Sequence, residues 1–203
     1  MKNCIYPDQI EVGIDEAGRG CLMGRVYTGA VILPKDFLTD EYLDIRDSKK
    51  LSIKNRERLR NYIETHSLSW AVDYADVEEI DKYNILNATL RSMHRAIDKL
   101  KVTPEHIAVD GNRFILYTDS EDDIIPHTLV KGGDNKYRNI AAASILAKTH
   151  HDEWIKSIIK EDPQLDKYGW STNMGYGTKK HMNGIKKYGI TKFHRLSFKP
   201  CQI

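Results

Sequence analysis

Two strand-like segments open the chain with too little sequence between them for a crossover. Ile10 to Asp15 carries Ile10, Val12 and Ile14 at alternate positions, and Arg25 to Leu33 is rich in apolar and β-branched residues. Only a glycine-containing turn separates them. A parallel connection needs roughly a dozen residues or more, so the two strands must be antiparallel neighbours.

After that hairpin the pattern becomes an alternation of helix and strand. Ser52 can cap a helix that runs to about Thr65. Ser67 to Tyr74 reads as a third strand, with Leu68, Trp70, Val72 and Tyr74 on one face. Asp76 and Glu79 form a helix start close to a capping box, and Leu86, Leu90, Met93, Ile97 and Leu100 follow on one helical face. Ile107 to Val109 is a short buried-type strand closing on Asp110-Gly111. Ile124 to Val130 is another, after the acidic loop Asp119 to Asp123. Residues 137 to 160 form a long helix with an alanine-rich start. The expected architecture is α/β, a mixed sheet of about five strands. Pro163 to Gly177 reads as a linker and Thr178 to Tyr188 as one more helix. The expected division is a body at residues 1–162 and a basic C-terminal segment at residues 163–203.

Composition excludes several classes. Hydrophobic residues at 40% and charged residues at 30% are a globular balance. There is no run of about 18 apolar residues, so no transmembrane helix is expected. The opening Met1-Lys2-Asn3-Cys4-Ile5 lacks the apolar core of a signal peptide. Cys4, Cys21 and Cys201 are odd in number and far apart, which suggests neither a disulfide framework nor a C-x-x-C metal site. A cytoplasmic protein is the expectation. The net charge of +2 hides two opposed halves. Beyond Asp166 there is no acid, and Lys167, Lys179, Lys180, Lys186, Lys187, Lys192, Arg195 and Lys199 give that tail +8, against −6 for the rest. A tail of this kind suits a phosphate-bearing partner, although most lysines taken singly are ordinary solvated surface.

Four acids sit where strands end. Asp15 and Glu16 close the first strand, Asp110 closes another, and Asp134 follows Lys131-Gly132-Gly133. Any one of them alone is an ordinary turn or cap residue. Together they are a candidate cation site, because clustered carboxylates repel one another and are stable as anions around cations. An all-oxygen set selects Mg²⁺ or Mn²⁺. Two such ions about 4 Å apart could activate a water and hold the leaving oxygen of a phosphodiester. The loop Gly18-Arg19-Gly20 next to the first two acids lacks dinucleotide-binding spacing, and a strand follows it. Its glycines serve either a tight hairpin turn or a close approach of backbone to a ligand.

At this point the motifs resemble a known family. Val12-Gly13-Ile14-Asp15-Glu16-Ala17-Gly18-Arg19-Gly20 resembles the opening signature of type 2 ribonucleases H, in particular bacterial ribonuclease HII. Asp47-Ser48-Lys49-Lys50-Leu51-Ser52, Asn84-Ile85-Leu86 with Ala88-Thr89, and Lys131-Gly132-Gly133-Asp134 with Ile140 to Lys148 are similar to later blocks. Gly175-Tyr176-Gly177-Thr178-Lys179 with His181, and His194-Arg195 with Ser197-Phe198, are similar to the last two. The match runs in order along almost the whole chain. It departs at Met23, Arg25, His150-His151 and Met174.

The resemblance implies a ribonuclease H-like mixed five-stranded sheet flanked by helices, with a helical C-terminal appendage. It implies an endonuclease that cuts the RNA strand of RNA–DNA hybrids and ribonucleotide-containing duplex DNA, as a monomer with a two-metal site for Mg²⁺ or Mn²⁺. Asp15, Glu16, Asp110 and Asp134 match the catalytic carboxylates. Gly18, Arg19 and Gly20 match the loop that grips the backbone at an RNA–DNA junction, and Tyr176 matches the tyrosine that senses the 2′-hydroxyl. Lys49 and Lys50 are candidate phosphate contacts beside the tail lysines. The glycines around Tyr176 favour an exposed loop over a core position.

Some residues read more plainly. Ser144, Lys148 and Asp152 share a helix face, where Asp152 is either a fifth acid near the metals or, preferably, the partner of Lys148. His150 and His151 are expected at the surface, and His181 and His194 as structural residues in preference to phosphate neighbours. Two other classes compete with a ribonuclease H: a carboxylate-metal resolvase or exonuclease, and a non-catalytic nucleic-acid binder.

Overall fold

The structure is a computed structural model, and it describes residues 1–35 and 40–202. Seven strands occur among them: β1 (Glu11–Ala17), β2 (Val26–Ile32), β3 (Ser69–Ala75), β4 (His106–Asp110), β5 (Tyr117–Thr118), β6 (Ile124–Ile125) and β7 (His127–Val130). The helices are α1 (Asp40–Leu43), α2 (Ile53–His66), α3 (Val77–Asp98), α4 (Arg138–Glu161), α5 (Trp170–Asn173) and α6 (Lys179–Tyr188). Five strands form the main sheet in the order β3-β2-β1-β4-β7. The β1–β2 and β2–β3 pairs are antiparallel, while β1–β4 and β4–β7 are parallel. The expected mixed sheet and its opening hairpin are therefore present. None of the described helices is long and apolar enough to cross a membrane.

Strand alternation assigns the two faces of the sheet. Val12, Ile14, Ala30, Ile32, Ile107 and Val109 pack with Leu90, Met93 and Ile97 of α3. Leu86 and Leu100 join the edge of that cluster, so the helical face expected from spacing is the one that docks. Val31 of the other face packs with Leu59 and Ile63 of α2 and with Ala141 to Leu146 of α4. The start of α4 runs so close to the sheet that only glycine fits beneath it. A Cβ on Gly13 would lie 2.2 Å from the Asn139 carbonyl carbon, and one on Gly29 would lie 2.4 Å from the Ala143 oxygen.

Several elements differ from their sequence expectation for identifiable reasons. The 124–130 strand is divided by Pro126, which has no N–H to give to a ladder; Ile124–Ile125 pairs instead with Tyr117–Thr118. In β3 the alternation is present, but the better-buried face is Ser69, Ala71, Asp73 and Ala75, while Leu68 and Tyr74 are exposed. Small residues there let α3 lie close to this edge strand, and Arg95 of α3 and Lys99 just beyond its end meet Asp73 at 2.9 and 2.6 Å. Within α3, Asn84 takes φ +65° and accepts the Asn87 N–H, so it ends one helical run and caps the next.

The expected linker is instead packed structure. Residues Pro163–Tyr168 form a 3-10 helix that leads into α5, and Leu165, Tyr168 and Trp170 are buried against Leu22, Ile155 and Ile185. One leucine and two large aromatic side chains in a Gly- and Asn-rich stretch are the signal that composition alone obscured. His181 and His194 are fully buried in this C-terminal core, as structural residues should be. Their Nε2 atoms are 3.2 Å apart, Thr191 N–H donates to His194 Nδ1, and Trp170 Nε1–H donates to His181 Nε2.

The close seating of α4 gives a direct test. Gly13→Ala should lower the unfolding free energy by about 3 kcal/mol, because neither backbone can move aside freely. Urea denaturation of the variant against the parent checks this. A parent-like midpoint would show that α4 can retreat.

Candidate active site

Parallel pairing of β1 and β4 sets Ile14 beside Val109, so both strands deliver their acids to the same edge of the sheet. Asp15 alternates onto the α4 face with Gly13 and is buried. It accepts the Glu16 N–H at 2.7 Å and a hydrogen bond from Ser144 of α4. Glu16, the next residue, meets Arg19 at 2.9 Å. Asp110 accepts the Gly133 N–H at 2.7 Å. This bond ties the end of β4 to the turn after β7, where Gly132 at φ +63° lets the chain reverse into the short helix that carries Asp134. The same side of the molecule thus receives all four expected acids.

A fifth carboxylate stands with them. Asp47 is buried, and Asn135 Nδ2 reaches Asp134 Oδ1 at 2.9 Å and Asp47 Oδ2 at 3.4 Å. Asp47 opens the Asp47–Ser52 motif, but its N-cap bond to Lys49 N–H gives it a local role that conceals its nearness to Asp134. Asp152, by contrast, meets Lys148 at 2.7 Å and His151 Nδ1 at 3.0 Å, the pairing expected from spacing.

The electrostatics of the cluster favour a cation. Burial, then the charges of Glu16 and Asp110, push Asp15 well above the usual carboxylate range. Burial also raises Glu16, against the pull of Arg19, and burial with the charges of Asp47 and Asp110 raises Asp134. A divalent ion with oxygen preference offsets both the burial penalty and the repulsion, so the donor set fits Mg²⁺ or Mn²⁺. Among the described residues no three His, Cys, Asp or Glu side chains are already closed into a ligand cage. Arg19, the Gly133 N–H and Asn135 each hold one acid by a separate bond.

Beside the acids lies a cavity of about 420 Å³ lined by Glu16, Gly18, Arg19, Gly20, Lys49 and Tyr176. Gly18, Arg19, Gly20, Lys49 and Tyr176, each expected to contact substrate, are therefore together, although Tyr176 is far from the rest in sequence. Cys21 and Tyr176 form an antiparallel bridge that brings the two loops into register. Tyr176 is exposed, as the flanking glycines implied, and partial desolvation with the nearby Cys21 and Asp152 raises its pKa to about 12. The same cavity is lined by Ser48, Ser144 and Lys148, which sequence reasoning did not place there. Lys148 Nζ lies 5.7 Å from the centre of the Tyr176 ring. The side chain of Lys50 lies outside the described residues.

Two expectations need correction. His151 is fully buried, with Gly18 packed against its ring and its Nε2 3.7 Å from the Cys21 sulfur. Its position on the α4 face toward β1, one turn beyond Ala147, decides this. Arg195 is no phosphate contact of the tail, because it is wholly buried. The seven tail lysines remain exposed. Of the departures from the family pattern, Met23 is buried against the Gly175 turn, and Arg25 stacks on Tyr74 at 3.8 Å and Trp154 at 5.0 Å.

The sheet, its flanking helices and the C-terminal helices make up a ribonuclease H-like fold. Ribonuclease H2 from Pyrococcus horikoshii OT3 superposes with a TM-score of 0.77 over 95% of each chain, at 22% identity. Bst-RNase HIII, solved in complex with Mn²⁺, gives 0.64 over 95% of this chain and 68% of its own, at 19% identity. The Ribonuclease HII family model matches residues 12–201. A ribonuclease HII of Parabacteroides distasonis is 52% identical, covering 94% of this chain and 90% of that protein. The chain belongs to the ribonuclease HII family and is an endonucleolytic, divalent-metal-dependent ribonuclease H. That membership sets aside the resolvase, exonuclease and non-catalytic readings.

The buried acids have a measurable signature in metal-free protein. A carboxyl whose folded pKa is raised binds its proton more tightly folded than unfolded, so stability falls as pH climbs above the unfolded value. Asp15→Asn should therefore melt higher than the parent at pH 7.5 in chelator, with the gap closing near pH 4 by scanning calorimetry. A lower melting temperature at pH 7.5 would contradict the raised pKa.

Proposed function

We propose that the protein cuts the RNA strand of RNA–DNA hybrids and also cuts at single ribonucleotides embedded in duplex DNA. Asp15, Glu16, Asp110 and Asp134 would hold two divalent ions, Mg²⁺ or Mn²⁺. When bound, such ions lower the pKa of an attacking water and stabilise the departing 3′ oxygen. The observation that carries the reading is the cavity that joins Gly18-Arg19-Gly20 and Tyr176 to Glu16.

The chain's own residues have separable tasks. Arg19 and Lys49 line the cavity wall with positive charge suited to the sugar-phosphate backbone. Gly20 keeps the mouth open, since a Cβ there would stand 3.6 Å from the Tyr176 ring and occupy the space a sugar needs. Tyr176 offers its ring for stacking and its hydroxyl for the 2′-OH, the group that distinguishes RNA from DNA. Residues 1–162 carry the acids, and the basic segment 163–203 supplies Tyr176 and a lysine surface that adds phosphate contacts. One chain provides every part of the site, in keeping with a monomer, and its three free cysteines suit the cytoplasm.

A labelled DNA duplex with one ribonucleotide, incubated with Mg²⁺, Mn²⁺ or chelator beside an all-DNA control, tests the activity. Cutting only at the ribonucleotide and only with metal is expected. Asp110→Asn should lose on the order of a thousandfold in turnover while still folding and binding hybrid; near-normal turnover would sink the metal assignment. Tyr176→Phe should impair the single-ribonucleotide substrate selectively, whereas equal loss on all substrates would indicate a packing role. Hybrid affinity should fall steeply with salt, and a flat response would remove the lysine surface from the binding model.

A further inference from the structure

The Gly18–Gly24 loop is held from behind by one buried cation. Arg195 is 0% exposed, and its guanidinium donates to four backbone carbonyls of that loop. Nε reaches Gly24 O at 2.9 Å, Nη1 reaches Arg19 O at 2.9 Å and Cys21 O at 2.7 Å, and Nη2 reaches Gly18 O at 2.8 Å. The Arg195 backbone N–H takes Leu22 O at 3.0 Å as well. No carboxylate among the described residues forms an ion pair with Arg195. Asp81, whose charge acts on Arg195, is engaged by the Leu196 and Ser197 N–H groups at 2.9 Å each. The charge is balanced by carbonyl dipoles and by the Phe198 ring 5.2 Å away.

Burying a guanidinium without a carboxylate is expensive, and an apolar side chain would fill the same space more cheaply. What an apolar residue cannot do is turn carbonyls. Four carbonyls of one loop drawn toward a single buried side chain turn the N–H of each following peptide to face the other way. Arg19 and Gly20 are exposed, and among the described residues no backbone carbonyl accepts their N–H. Two outward N–H groups beside the Arg19 side chain are a concavity suited to a phosphate oxygen. The guanidinium behind them polarises the same peptide groups in the favourable sense.

We infer that Arg195 is a positioning residue for substrate recognition, fixing the Gly18–Gly24 loop with its amides toward the substrate backbone. The inference rests on the reading of that loop as the ribonucleotide-recognition element. A lysine cannot substitute, because one ammonium with three donors cannot reach four carbonyls spread around a planar fork. A single embedded ribonucleotide offers one register, so its cleavage depends on the loop's geometry. A long hybrid offers a 2′-hydroxyl at every step and tolerates a looser loop.

The test compares Arg195→Lys and Arg195→Ala with the parent in two measurements. Amide hydrogen exchange of residues 18–24 should quicken at least about tenfold in Arg195→Lys, with the exchange of β1 and α4 retained. In metal-supplemented assays, the ratio of kcat/KM on a single-ribonucleotide duplex to that on a long hybrid should fall at least about tenfold, and added guanidinium should restore it in Arg195→Ala. If Arg195→Ala does not fold, Arg195→Lys alone decides. Parent-like exchange in the loop, or an equal loss on both substrates that tracks a lower melting temperature, would overturn the inference. A parent that fails to cut the single ribonucleotide, with the loop still loosened in Arg195→Lys, would overturn the recognition reading and leave Arg195 as the holder of the loop.

Discussion

The approach of α4 to β1 and β2 is the contact on which the rest of the molecule depends. Gly13 and Gly29 remove the side chains that would hold the helix away, and the alanines of α4 answer them from the other side. The result places Ser144 within hydrogen-bonding reach of Asp15 and puts Lys148 in the wall of the substrate cavity. It also brings the chain just before α4 against the end of β4, so that the Gly133 N–H can hold Asp110. Close packing here is therefore part of the chemistry and not only of stability.

Charge in this protein is sorted by depth. Carboxylates are drawn inward at the strand ends, where burial and mutual repulsion raise Asp15, Glu16 and Asp134. A group of that kind is poorly stable as bare anions and well matched to hard cations. The lysines after Asp166 stay at the surface, where solvated charge can meet phosphate. Arg195 is the exception, a tail cation folded beneath the glycine loop. The tail is thus two things at once: an outer lysine surface and an inner brace whose Tyr168, Trp170, His181 and His194 pack around a few fixed hydrogen bonds.

Much of this was legible in advance. The short turn after Asp15 dictated an antiparallel hairpin, and the steps of three and four from Leu86 to Leu100 marked the docking face of α3. The acids at strand ends were visible because hydrophobic strands seldom finish in carboxylates without reason. Other features were not. The buried face of β3 is its small one, since an edge strand covered by a close helix favours Ala and Ser over Trp and Tyr. His151 and Arg195 look like surface residues in a polar stretch, and only their packing against residues 18–24 buries them. Asp47 looks like a cap, which it is, while also standing beside Asp134.

By itself the sequence determined the alternation of strands and helices, the family, and which residue types could carry metal-assisted hydrolysis, because periodicity and motif spacing are local properties. Tertiary structure alone decided which of those residues meet. Tyr176 faces Gly20, Gly133 holds Asp110, and Arg195 gathers the carbonyls of a loop more than a hundred and seventy residues earlier. Such contacts follow from sheet order and from how near α4 can come to two glycines. Neither is written in any short stretch of the chain, since each is a balance of packing over the whole core.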